Sequence, residues 1–77
     1  MILQPVLRAI PGTCIVKIVS DNGATLASDT SSVILATRID LNDREVIKIM
    51  PDGGNRIKVM VGAPKTHTTQ NYYRHIN

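Results

Sequence analysis

The chain has no phenylalanine and no tryptophan, a single cysteine (Cys14), and only two tyrosines among its 77 residues. The lone thiol excludes a disulfide within the chain. With His67 and His75 the only histidines, a structural zinc site has too few ligands. No window reaches the roughly 18 apolar residues of a membrane span, so no membrane partner is expected. The first twelve residues, "MILQPVLRAIPG", lack the basic start and long apolar run of a secretory signal. A cytoplasmic location is expected, and a lone reduced thiol fits it.

What is present points to a small β protein. Val and Ile supply most of the apolar content, and β-branched residues favour pleated surfaces over helices. Residues 1–77 are read as one domain, near the size at which a core barely sustains itself. A chain this short buries only about 60% of the surface its unfolded form exposes. Without a disulfide or a metal, a homodimer is the expected source of further buried area. The net charge of +3, from nine Lys and Arg against six Asp and Glu, permits an anionic partner without demanding one.

Turn signals recur along the chain at the spacing of an all-β fold. Ile2–Ile10 reads as a first strand, at an edge or broken at Pro5, which cannot donate to a ladder. Pro11-Gly12 reads as a type II turn. Thr13–Ser20 reads as a strand with apolar residues on both faces. Asp21-Asn22-Gly23 reads as a type I′ hairpin turn returning through Ala24–Ala27. Ser28–Ser32 is polar enough for a loop, Val33–Ile39 reads as another strand, and Asp40–Asp43 as a turn.

Residues 44–65 carry the clearest hairpin: Arg44–Met50 out, Pro51–Gly54 as the turn, Arg56–Val61 back. Ile57, Val59 and Val61 alternate with Arg56, Lys58 and Met60, the period of a half-buried strand. Pro64 stops it, and residues 66–77 form a polar, basic tail ending in a short helical turn or an ordered tail. The expected fold is therefore all-β: a small antiparallel sheet or barrel of about six short strands, dimeric, with room for a short C-terminal helix.

Catalytic constellations are weak. Asp29-Thr30-Ser31 resembles the Asp-Thr-Gly loop of aspartic proteases but lacks its glycine, and reads as an ordinary Asx or Ser/Thr loop. Cys14 sits in an apolar strand, where a buried inert thiol is expected. "PDGGNR" has no P-loop or dinucleotide spacing. No enzyme activity and no cofactor are expected.

The basic residues carry more. Arg56 and Lys58 share one side of their strand. Arg44 and Lys48 share one side of its hairpin partner, with Val46, Met50 and Met60 between them. Lys65, Arg74, Tyr72 and Tyr73 extend the stripe. Cations neutralise phosphates and aromatic faces stack on unpaired bases, which points to single-stranded or loop RNA. The competing reading is a solvated outer face, since any amphipathic strand turns its Lys and Arg outward.

"EVIKIMPDGGNRIKVMVGAPK" resembles the carbon storage regulator family of bacterial RNA-binding proteins. There a turn leads into an alternating basic and apolar strand, then Ala-Pro, a short strand and a helix, for which "NYYRHI" stands here. "VLRAIPGTCIVKI" is similar to the family's opening strands. The resemblance implies a strand-swapped homodimer that grips GGA-containing RNA loops and blocks translation. It puts Arg8, or its rival Arg38, in the place of the family's first-strand arginine. Thr66 to Asn71 bring no arginine to the position that follows Ala-Pro in the family, and Ser20 to Ile39 have no counterpart there.

The expected function is a small RNA-binding post-transcriptional regulator acting through Arg8, Arg38, Arg44, Lys58, Lys65 and Arg74. The alternative is a protein-interaction or assembly module, such as a phage-encoded inhibitor or structural subunit, that offers the strand edge Ile2–Ile10 to a partner's sheet.

Overall fold

A computed structural model describes residues 1–63. It corrects the all-β expectation: two helices pack on one face of an open four-stranded mixed sheet. The order along the chain is α1 (Leu3–Ala9), β1 (Ile15–Ser20), β2 (Thr25–Thr30), α2 (Ser31–Thr37), a 3-10 helix (Ile39–Leu41), β3 (Val46–Pro51) and β4 (Arg56–Val61). The sheet runs β2-β1-β4-β3. Each outer strand is antiparallel to its neighbour, and the central pair, β1 and β4, is parallel.

The expected first strand is α1. Leu3, Val6 and Leu7 are buried, a helical rather than an alternating spacing. Pro5 is the third residue of this helix, where the missing N–H would have no intrahelical acceptor. No side chain caps the helix. The N–H groups of Leu3 and Gln4 instead donate to the carbonyls of Arg44 and Asn42, both at 3.0 Å. Ile2 forms an antiparallel bridge with Glu45, and the Met1 ammonium meets Glu45 Oε2 at 2.7 Å.

The expected strand Val33–Ile39 is α2 and the start of the 3-10 helix. The Val33 N–H donates to Thr30 Oγ1 at 3.4 Å, a side-chain cap from a residue read as loop. Ser31 and Ile34, three apart, are the buried positions. Seven residues with three β-branched members, Val33, Ile34 and Thr37, make a poor isolated helix, so tertiary burial holds it.

The two turns also differ from expectation. In the β1–β2 hairpin only Gly23 takes a positive φ, +92°, and Asn22 does not, so the turn is not type I′. The Gly23 N–H donates to the Ser20 carbonyl at 3.0 Å and the Ser20 N–H to that of Ala24 at 2.8 Å. This is a three-residue loop with its left-handed residue last. Gly12 has no positive φ, which removes the type II turn. Its place is steric: a Cβ there would lie 3.3 Å from that of Ser32, whose hydroxyl donates to the Gly12 carbonyl at 3.1 Å.

The core comprises Leu3, Val6 and Leu7 of α1, Ile34 of α2, Leu41, Val16 and Ile18 of β1, Val46 of β3, and Val59 and Val61 of β4. The clearest expected hairpin holds as β3 and β4, with a register shift between Val46 and Lys48. Among the described residues no helix is long and apolar enough to cross a membrane.

Candidate nucleic-acid interface

Alternation on the two central strands fixes what the other sheet face displays. Val16 and Ile18 of β1 and Val59 and Val61 of β4 point at the helices and are buried. Ile15, Lys17 and Val19, and Arg56, Lys58 and Met60, therefore point away from them. The ladder registers arrange this face in rows. One row reads Ser28, Lys17, Lys58, Met50 from β2 to β3, and the next Thr25, Val19, Met60, Lys48. Arg56 stands opposite Ile15.

Charge is segregated by this arrangement. Lys17, Lys48, Arg56 and Lys58 all lie on the face turned away from the helices, and none makes an ion pair among the described residues. The only acid within the four strands is Asp29, whose partner Val16 belongs to the helix-covered face. Two acids abut β3: Glu45, just before it, meets the Met1 ammonium, and Asp52, just after it, donates its N–H to the Arg56 carbonyl at 3.1 Å. Apolar side chains lie between the cations: Val19 is only 5% exposed, and Ile15, Met50 and Met60 are half-buried. Lysine stems cover such surface while their ammonium groups reach water.

The residues expected to bind RNA are dispersed. Of the four that fall among the described residues, Arg8, Arg38, Arg44 and Lys58, only Lys58 lies on the face turned away from the helices. Arg8 is exposed in the last turn of α1, on the opposite side of the sheet. It stands on a helix, so it does not supply the first-strand arginine that the family resemblance implies.

Arg38, at the end of α2, is committed to structure. Its Nη1 donates to the Leu26 carbonyl at 2.7 Å, while Nε and Nη2 grip the Asp40 carboxylate at 3.1 and 3.0 Å. That side-chain hydrogen bond holds the Asp40 carboxyl below its usual range and raises Arg38 above its own.

Arg44 precedes β3, and its Nη1 donates to the Gly62 carbonyl at 2.9 Å. The register shift after Val46 breaks the even spacing that put Arg44 beside Lys48, and Val46 itself turns into the core. Of the expected stripe, Arg56, Lys58, Lys48, Met50 and Met60 share a face, while Arg44 and Val46 do not. Lys65, Arg74, Tyr72 and Tyr73 lie outside the described residues.

The sequence reading missed Lys17. Its signal was present: in "CIVKIVS" a lysine interrupts an apolar strand between two residues that alternate with it into the core. Treating both faces of that strand as covered hid it.

No pocket, and no cluster of three or more His, Cys, Asp or Glu that could hold a metal ion, is found among the described residues. The arrangement offers a flat surface of amines and a guanidinium on apolar ground, suited to phosphate oxygens rather than to an enclosed substrate. No family model, curated protein or solved structure matches the chain.

Proposed function

We propose that the protein binds RNA through the open face of its sheet, with Lys17, Lys48, Arg56 and Lys58 as the phosphate-contacting residues. The observation that carries this reading is the segregation of four cations onto a sheet face whose strands bring no acid to it. Self-association through the same face would set like charges against each other, whereas a polyanion releases counterions from it. The β3–β4 hairpin is also the segment similar to carbon storage regulators, which supports loop RNA and control of translation as the setting, in the cytoplasm.

The experiment is fluorescence anisotropy of a short RNA hairpin with GGA in its loop, beside the same hairpin with the loop scrambled, at two salt concentrations. Salt-sensitive binding that weakens at least tenfold in the Lys17→Ala/Lys58→Ala double variant supports the reading. Unchanged affinity in that variant overturns it. A preference for GGA would extend the family resemblance to function.

A second reading rests on a different place. The strand edge expected at Ile2–Ile10 is a helix, but Ile47 and Ile49 on the outer strand β3 are 53% and 46% exposed. A second copy of the chain pairing along β3 would cover them and meet the expectation of a homodimer. Sedimentation equilibrium tests this: a dimer that Ile49→Lys dissociates supports it, and a monomer at every concentration removes it.

A further inference from the structure

Lys17 and Lys58 are direct register partners on the two parallel central strands. Neighbouring strands lie about 4.8 Å apart, so two like charges start side by side at the middle of the sheet. Such pairs destabilise a sheet. Both lysines are half-buried, which weakens the screening that an exposed pair would enjoy. Their cross-strand neighbours in the row are Ser28 and Met50, neither of them charged, and neither lysine makes an ion pair among the described residues. The cations that do have a polar partner among the described residues, Arg38, Arg44 and the Met1 ammonium, use it to hold backbone or an acid. The Lys17–Lys58 pair has no such use within the described fold.

We propose that Lys17 and Lys58 form a clamp for a single phosphate-type oxyanion, one amine on each side of it. Ammonium groups at strand spacing can both reach one anion at the ~2.7–2.9 Å of a charge-assisted hydrogen bond. The bound anion cancels the repulsion that the free protein tolerates, so ligand binding and fold stability are coupled through the same two atoms. Arg56 lies two residues before Lys58 on β4, and Lys48 beside Met60 one row further, placing both where they meet flanking phosphates of a chain rather than the same one. The proposal rests on reading this face as the anion-binding surface and identifies which pair holds the first phosphate.

The test is thermal melting of the full chain and of Lys17→Met, Lys58→Met and Lys48→Met, each with and without inorganic pyrophosphate. Lys48→Met makes the same chemical change on the same face without removing a facing lysine. Removing either member of the pair should raise the melting temperature of the free protein by about 1–8 °C more than Lys48→Met does. Pyrophosphate should then raise the melting temperature of the wild type and of Lys48→Met but of neither clamp variant. Equal shifts in all three variants, or pyrophosphate stabilisation that survives in Lys17→Met and Lys58→Met, would overturn the clamp. RNA anisotropy on the same samples separates the two readings. Pyrophosphate stabilisation without RNA binding leaves the clamp standing and removes RNA as its ligand. RNA binding that tolerates each single Met variant but is lost in the Lys17→Ala/Lys58→Ala double variant leaves RNA on this face and removes the clamp.

Discussion

The hydroxyl of Ser31 donates to the Leu7 carbonyl at 2.8 Å, joining the first residue of α2 to the last turn of α1. Ser31 is 1% exposed and is the buried polar residue of the described chain, while its N–H donates to the Cys14 carbonyl at 2.9 Å. One residue therefore ties α1, α2 and the entry to β1 together, beneath a helix pair with little intrinsic stability. Ser31→Ala should cost about 1–2 kcal/mol, because it leaves a buried carbonyl short of a donor. Leu7→Ala, beside it, should cost about 2–5 kcal/mol by emptying a core site. Urea denaturation measures both, and a Ser31→Ala loss below the error of the midpoint would show that the hydrogen bond holds nothing.

Arg8 and Arg44 should separate sharply. Arg8→Ala changes an exposed side chain without a partner among the described residues, so stability and RNA affinity should both stay near wild type. Arg44→Ala removes the guanidinium held by the Gly62 carbonyl and should cost about 1–2 kcal/mol. Its RNA affinity, measured at a temperature where the variant is folded, should not change. A loss of binding without loss of stability in Arg44→Ala would return that residue to the interface.

Salt dependence distinguishes phosphate contacts from general charge. Each phosphate contact on a single strand contributes about 0.7 to the slope of log affinity against log salt. Lys48→Ala and Arg56→Ala should each reduce the slope by about that amount, while Arg38→Ala should leave it alone. Anisotropy titrations across salt concentrations read the slopes directly. Equal slopes for all three variants would remove Lys48 and Arg56 from the interface.

Acid stability should carry a signature of Asp40. Its folded-state pKa lies below the ordinary carboxylate value, chiefly through the hydrogen bond from Arg38. A depressed folded pKa gives stability that is present above the unfolded pKa of about 3.9 and is lost as pH falls through the folded value. Arg38, raised, stays charged throughout and adds no pH dependence of its own in this range. The pair is exposed, so the effect is small. Asp40→Asn should flatten the fall in melting temperature below about pH 4 relative to the wild type. An acid limb of unchanged steepness would show that the pair contributes nothing.

The parts legible in the sequence were those whose local pattern and tertiary fate agree. Arg56–Val61 was read with the bounds it has, because Ile57, Val59 and Val61 alternate with Arg56, Lys58 and Met60 and one side is buried. Pro51–Gly54 was read as the turn, which runs from Asp52 to Asn55 with Gly53 and Gly54 both at positive φ, while Pro51 ends β3. The two helices were missed for one reason: "ILQPVLRAI" and "VILATRI" are apolar runs too short for period to declare itself. The β-branched Val33 and Ile34 then favoured strand, and Pro5 was read as breaking an edge strand rather than as an early position of a helix. At the site, Lys48, Arg56 and Lys58 were placed on one face correctly. Arg44 was not, because a one-residue register shift is invisible to an even-spacing argument.

The sequence by itself determined a small chain with no disulfide framework, a basic excess, and a β3–β4 hairpin with cations on one side. Those follow from residue counts and from a period of two, which are local properties. The tertiary structure decided the rest. Leu3, Val6 and Leu7 become a helical face only because the carbonyls of Asn42 and Arg44 receive the first N–H groups of α1 and the sheet receives its apolar side. The parallel pairing of β1 with β4, which joins strands far apart in the chain, sets Lys17 beside Lys58. No spacing rule reaches across that distance, and only the packed sheet brings the two amines together.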